Sequence, residues 1–230
     1  MKKIIFPILI TAFLFMVFGF VFNDGTDTPV ALIKKIIKDV SYRKTDASDW
    51  KIAKTGTPLK TGEQIKTGYK SLALVLFTDG TGLLRVRENS TMYIYAKKDG
   101  KKLNKNTFLE QGVIGFEINK QEEEEFKFTT PTAVAAIRGT AGYLEVDSDS
   151  STVIACEHGK IEVQARQGKK GIETVEGGFA VRIGADGNFF KGKMTKEQLE
   201  KFNKTKKTKT NKIYIDTDEG TIEIEYFLGQ

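Results

Sequence analysis

Cysteine, histidine, tryptophan and proline are all scarce in this chain of 230 residues, which holds one Cys, one His, one Trp and four Pro. A lone cysteine, Cys156, has no partner for an intramolecular disulfide and cannot build a zinc site. It sits in the strand-like run Thr152-Val153-Ile154-Ala155-Cys156, where a thiol reads as a small buried hydrophobe. His158 falls in the turn-like Glu157-His158-Gly159, a solvated position and a poor place for the general base of a Ser-His-Asp arrangement. No glycine-rich phosphate loop precedes a helix. Ser48-Asp49-Trp50-Lys51 fits Ser-x-x-Lys with Lys-Thr-Gly close behind, but everything lies in one short turn-rich stretch. A penicillin-recognising enzyme needs that serine at a helix start in a large α/β frame. Asp147-Ser148-Asp149 opens like a calcium loop, yet Thr152 and His158 stand where Gly and Glu are required. The expectation is therefore a protein that is not an enzyme, with no catalytic residues, cofactor or metal.

Positive charge is abundant but local. Residues 191–212 hold nine lysines and two glutamates, +7, so the remainder of a chain with net charge +6 sums to −1. Phe202 is the only aromatic in that segment, which argues against a nucleic-acid partner. Lys204, Lys206, Lys207 and Lys209 could still meet an anionic surface, lipid or polysaccharide. At the other end, Met1-Lys2-Lys3 precedes an uncharged apolar run over residues 4–22. That pattern reads as an export signal or as a hydrophobic helix that anchors the chain, its lysines on the cytoplasmic side. No small-x-small cleavage site precedes Asn23, and no cysteine follows to make a lipoprotein. Residues 1–23 are thus expected to be a signal peptide or membrane anchor and 24–32 a linker, with the remainder extracytoplasmic: periplasmic, secreted or anchored.

From about Ile33 to residue 190 the text is strand-like. Asp79-Gly80 separates the apolar runs 71–77 and 83–86, a hairpin cue because both central turn positions favour positive φ. Met92, Ile94 and Ala96 alternate with Tyr93, Tyr95 and Lys97. Lys-Thr-Gly recurs at Lys54, Lys60 and Lys66, too few turns for a hexapeptide β-helix, so the glycines read as tight turns between short strands. Glu122 to Glu125 read as a hydrated acidic loop. Within residues 191–212, Thr195 and Gln198 have capping-box spacing, and Leu199 and Phe202 give a short helix an apolar edge. The stretch from Lys204 to Thr210 reads as a flexible linker, and residues 213–230 as a β-hairpin that brings Ile213 and Ile215 to Ile222 and Ile224.

Between Phe126 and Thr140, Pro131 should end a strand's ladder. On one unbroken strand Val134, Ala136, Arg138 and Thr140 share a face, which places a guanidinium among small residues and calls for a buried structural partner. Gly139 allows a bulge there.

Thr130-Pro131 followed by Ala-Val-Ala-Ala-Ile-Arg138-Gly139-Thr140 resembles the signature of the FecR domain family. Trp50, Ala53, Gly56, Leu59, Gly62-Glu63-Gln64-Ile65 and Thr67-Gly68 resemble its opening block, Ser71 to Phe77 with Asp79-Gly80-Thr81 the next, and Thr152 to Val163 the closing strand pair, so the likeness spans residues 34–190. The resemblance implies an all-β, sandwich or solenoid-like extracytoplasmic domain that takes a signal from an outer-membrane transporter, while a cytoplasmic segment controls a sigma factor. Here only Met1 to Lys3 would be cytoplasmic, so no anti-sigma region is expected in cis. The function expected is an exported interaction or sensory module with an envelope or outer-membrane protein as partner; the alternative is a protein that binds envelope polysaccharide or anionic lipid.

Overall fold

The computed structural model describes residues 28–99, 102–120, 126–168, 171–206, 210–217 and 220–227. Short β-prone runs punctuated by turns form β1 (Ala31–Ile37), β2 (Val40–Arg43), β3 (Lys51–Ile52), β4 (Pro58–Leu59), β5 (Gln64–Thr67), β6 (Leu72–Phe77), β7 (Gly82–Val86), β8 (Thr91–Asp99) and the long β9 (Lys102–Ile118). Then follow β10 (Phe126–Thr129), β11 (Ala133–Ile137), β12 (Thr140–Val146), β13 (Thr152–His158), β14 (Lys160–Ala165), β15 (Ile172–Glu176), β16 (Phe179–Ile183) and β17 (Phe189–Lys193). Among the described residues one helix, α1 (Lys196–Lys206), precedes the terminal pair β18 (Thr210–Thr217) and β19 (Gly220–Phe227).

Register arranges the first seventeen strands as two layers that share β9. Sheet A runs β4-β1-β6-β7-β9-β12-β13-β16-β17. Sheet B runs β3-β2-β5-β8-β9-β10-β11-β14-β15. Up to Gln111, β9 pairs in sheet B, and from Gly112 it pairs in sheet A. Gly112 has φ +96°, and a Cβ there would lie 2.6 Å from Ser90 Cα, so the crossing needs glycine. After β9 the chain lays hairpins alternately on the growing edges of the two sheets, β10–β11 on B, β12–β13 on A, β14–β15 on B and β16–β17 on A. The result is an open, mostly β structure wound progressively like a solenoid.

Alternation along each strand supplies one core between the layers. Ile33, Val75, Leu84, Ile114 and Ile154 of sheet A and Ile65, Met92, Ile94, Ile161 and Val163 of sheet B are fully buried in it. Phe77 meets Phe126 across the layers with ring centroids 5.3 Å apart, and Phe116 meets Phe128 at 5.1 Å. Inward parity also buries one cation. Lys105 on β9 pairs with Asp79 in the β6–β7 turn and donates to the Leu103 carbonyl at 2.8 Å.

Several boundaries differ from the sequence reading. The expected linker over 24–32 already contains strand at its end, because Ala31 is fully buried between β4 and β6. Strand structure continues past residue 190 to Lys193. Lys204 and Lys206 are helical rather than linker, since Thr205 between them is buried against sheet A, and strand resumes at Thr210. The apolar N-terminal run, Glu122 to Glu125, Lys207 and Lys209 lie outside the described residues. No helix among the described residues is long and apolar enough to cross a membrane.

Candidate functional site

The Thr130-Pro131 corner is a closed hairpin end. Thr130 N–H donates to the Ala133 carbonyl at 2.8 Å, and Ala133 N–H donates to Thr130 Oγ1 at 2.9 Å. Thr152 on β13 of sheet A brings its hydroxyl to within 2.8 Å of Thr130 Oγ1 and 2.7 Å of Thr132 Oγ1, so a buried hydroxyl trio ties the layers together. Arg166 caps the corner from outside, donating to the Thr130 carbonyl at 2.6 Å.

Arg138 is exposed, not buried among small residues as its parity implied. The strand is broken: β11 ends at Ile137 in sheet B, Gly139 takes φ +64°, and Thr140 begins β12 in sheet A. Val134, Ala136 and Arg138 therefore lie on the solvent side, and only Thr140 turns inward, fully buried with its hydroxyl donating to the Lys160 carbonyl at 3.2 Å. A second guanidinium, that of Arg166, also serves the corner, and sequence reasoning missed it because its partner is 36 residues away.

The residues tested for chemistry do not assemble. Cys156 is fully buried, donates to the His158 carbonyl at 3.3 Å, and is pushed up to about 11 by burial and then by Glu157, so it stays a thiol at neutral pH. His158 is exposed beside Glu157. Ser48 closes a small turn with Thr45, its Oγ 2.9 Å from Thr45 Oγ1, and is not on a helix. In the Asp147-to-Ser151 turn, Arg182 reaches Asp149 at 3.1 Å and Ser151 Oγ at 2.8 Å, filling with a cation the place a metal would need. Hydrogen bonding from Ser151, and then the Arg182 charge, hold Asp149 below the usual carboxylate range. No cluster of three or more His, Cys, Asp or Glu able to hold a metal occurs among the described residues.

The outer faces of the two sheets differ. Over β9, β12, β13 and β16, sheet A lies under α1. The helix begins with a reciprocal capping box, Gln198 N–H donating to Thr195 Oγ1 at 3.2 Å and Thr195 N–H to Gln198 Oε1 at 2.9 Å. Phe202 packs on Tyr143, Val153, Ala155 and Ala180, and Thr205 sits so close to Gly115 that a Cβ there would lie 2.8 Å from it. Lys201 bridges both oxygens of Glu145 at 2.7 Å, and Lys206 pairs with Glu157. Two lysines of the basic segment are thus drawn onto the β domain. Beyond the helix, sheet A presents the half-buried leucines Leu32, Leu76 and Leu83.

Sheet B carries no helix among the described residues, and its outer face holds aromatic rings. Register places Arg43, Gln64, Tyr93, Phe108, Thr129 and Val134 in one row across six strands. Trp50 joins its end, with the Arg43 guanidinium 4.5 Å and the Lys66 ammonium 5.8 Å from its ring centroid. Tyr93 meets Phe108 edge-on at 5.5 Å and lies near-parallel to Tyr95 at 6.4 Å. Asp46 fixes this end of the row, accepting from Arg43, from Gln64 at 2.9 Å and from Tyr93 at 3.4 Å. Burial, then Glu110 and Asp46, raise the Tyr93 phenol above its ordinary pKa, so it remains a neutral donor. The Met92/Tyr93/Ile94/Tyr95 alternation foretold these outward rings, but not their alignment with Trp50 and Arg43, which depends on long-range pairing.

Among curated proteins none matches this sequence. Crystal structures of a candidate anti-sigma factor from Parabacteroides distasonis, at 2.50 Å and 1.65 Å resolution, share the fold. Each superposes with a TM-score of 0.52 at 13% identity, over 67% of this chain and 68% of that one. The model of the family described as FecR protein matches residues 63–162, from β5 through the first half of β14, a narrower span than the 34–190 over which the motifs run. This stretch contains the Thr130-Pro131 corner, the β9 crossing and the Tyr93–Phe108 part of the aromatic row, so the likeness to the FecR protein family rests on residues 63–162.

Proposed function

We propose that this protein is a non-catalytic interaction or sensory module of the cell envelope, working outside the cytoplasm, and that it meets a protein partner through the outer face of sheet B. One observation carries the reading: sheet B displays Trp50, Arg43, Tyr93 and Phe108 in a fixed row with no helix of the described residues over it, whereas α1 seals much of the opposite face. Aromatic residues and arginine concentrate at the energetic centres of protein interfaces, because large rings bury much area at little entropic cost. The FecR likeness and the shared fold support a signalling or regulatory role. The terminal ribbon adds apolar surface. Among the described residues β18 and β19 pair only with each other, and the adjacent Tyr214 and Ile215, on opposite faces, are 60% and 44% exposed. A two-stranded ribbon is marginal alone and gains from a partner.

Adhesion to an anionic surface through the basic segment is less well supported, because Lys206 already faces Glu157. Binding to envelope fractions at two ionic strengths separates the readings. Trp50→Ala and Tyr93→Ala should each weaken binding at least tenfold, while Lys204, Lys206, Lys207 and Lys209→Gln together leave it nearly intact. A large, salt-sensitive loss in the lysine variant, with the aromatic variants unchanged, would replace the proposal by surface adhesion.

A further inference from the structure

Beneath α1 the outer face of sheet A forms a socket. Its floor is Tyr143 of β12, Val153 and Ala155 of β13 and Ala180 of β16, with Val113 of β9 at the border. Two carboxylates stand on the rim, Glu145 paired with Lys201 and Glu157 paired with Lys206. The helix fills this socket sparingly. Of its eleven residues only Phe202 and Thr205 are buried. Both ion pairs are partly exposed to solvent, where such pairs hold weakly. A helix of this length is marginal in water on its own, so α1 depends on the socket for its structure. Docking also strands the Tyr143 hydroxyl, which is fully buried with no hydrogen-bond partner among the described residues. Undocking returns water to that hydroxyl and offsets part of the burial lost at Phe202. The joint is short, since β17 ends at Lys193 and α1 begins at Lys196, and Met194 N–H holds it to the Gly178 carbonyl at 3.0 Å.

We infer that α1 is a displaceable strap over a second docking site, and that the ligand of the socket is a basic amphipathic helix of a partner protein carrying an aromatic residue. The seat of α1 defines that chemistry. Phe202 supplies the ring that meets the apolar floor, and Thr205 supplies the small side chain that Gly115 admits. Lys201 and Lys206 supply the cations that the two rim carboxylates call for, Lys206 lying one turn beyond Phe202 with its ammonium 4.6 Å from the ring centroid. A partner helix that presents the same ring and cations, and adds an acceptor for the Tyr143 hydroxyl, makes every contact α1 makes and one that α1 lacks. The socket lies on the face opposite Trp50 and Tyr93, so this inference does not depend on the contact proposed for sheet B.

Fluorescence anisotropy of a labelled peptide of residues 193–206, titrated with the full-length chain in detergent, tests it. The peptide competes with the α1 already in place, so the wild-type chain should bind it weakly. Lys201→Glu and Phe202→Ala in the chain each loosen the strap and leave the socket intact, and each should tighten peptide binding about tenfold by raising the fraction of open socket. Adding Glu145→Gln to the Phe202→Ala chain should weaken the peptide about fivefold and reduce its salt dependence. A peptide carrying Phe202→Ala should not bind. Hydrogen exchange of the same chains reads the strap alone. The α1 amides should exchange about fivefold more slowly in Tyr143→Phe, where docking strands no hydroxyl, and faster in Lys201→Glu, while β12 and β13 stay protected and show that the fold is intact. Peptide binding to Lys201→Glu no tighter than to wild type, indifference to Glu145→Gln, or unchanged α1 exchange in Lys201→Glu would each overturn the inference. Concentration-dependent dimers in sedimentation that Phe202→Ala abolishes would give the socket to a second copy's α1 and overturn the partner assignment.

Discussion

Thr152→Val removes one hydroxyl from the middle of the buried trio at the Thr130-Pro131 corner and keeps the branched shape of the side chain. Thr130 retains its bonds with Ala133, accepting from the N–H at 2.9 Å and donating to the carbonyl at 3.2 Å. Thr132, whose hydroxyl lies 2.7 Å from that of Thr152 and is buried, is left with a hydroxyl facing valine. A buried hydroxyl without a partner costs about 1–3 kcal/mol, more than an average hydrogen bond contributes. Thr152→Val should therefore destabilise by about 2 kcal/mol, which for a chain of this size lowers Tm by about 4–8 °C. Adding Thr132→Val removes the stranded group and should recover at least half of the loss, because exchanging both partners for apolar groups is nearly neutral. Urea unfolding followed by Trp50 fluorescence measures both variants, and an unchanged slope would show that the denatured state is unaffected. Wild-type stability in Thr152→Val, or a double variant worse than the sum of the singles, would refute the claim that hydroxyl pairing holds this corner.

Tyr143 is fully buried beneath α1, and its hydroxyl has no hydrogen-bond partner among the described residues; Tyr143→Phe should raise stability by about 1 kcal/mol in the same urea assay, and a loss would mean the hydroxyl is engaged. Arg166→Ala should cost about 1–2 kcal/mol by uncapping the Thr130 carbonyl, whereas Arg138→Ala, at an exposed position, should cost less than about 1 kcal/mol; the reverse order would restore Arg138 as the motif's anchor. The folded Cys156 thiol keeps its proton to about pH 11, against an ordinary value of 9.0. Its contribution is complete below pH 9.0 and lost as pH rises through 11, because there the unfolded chain binds fewer protons than the folded one. Cys156→Ala should flatten the fall of stability between those values, and an unchanged slope would exclude the thiol as its source.

Local rules made much of this structure legible. Alternation at Met92 to Tyr95 gave the faces of β8, and the Thr195–Gln198 spacing gave the start of α1, because both depend on residues within one turn or strand. Arg138 was misplaced because one glycine, Gly139, moves the chain from one sheet to the other and cancels the parity beyond it. Lys105 shares the inward parity of Leu103 and Leu109, but a lysine there becomes credible only with Asp79 across the layers. The aromatic row was hidden for the same reason: Trp50, Tyr93 and Phe108 are adjacent only once β2, β5, β8 and β9 lie side by side.

The central claim, that the outer face of sheet B is the contact surface, is tested most directly by photo-cross-linking in intact cells. A benzoyl-phenylalanine placed at Tyr93 samples that face, and one at Leu199, 42% exposed on α1, samples the opposite side. Position 93 should yield one discrete protein adduct that disappears in Trp50→Ala, and position 199 none; adducts from position 199 alone, or from neither, would contradict the account.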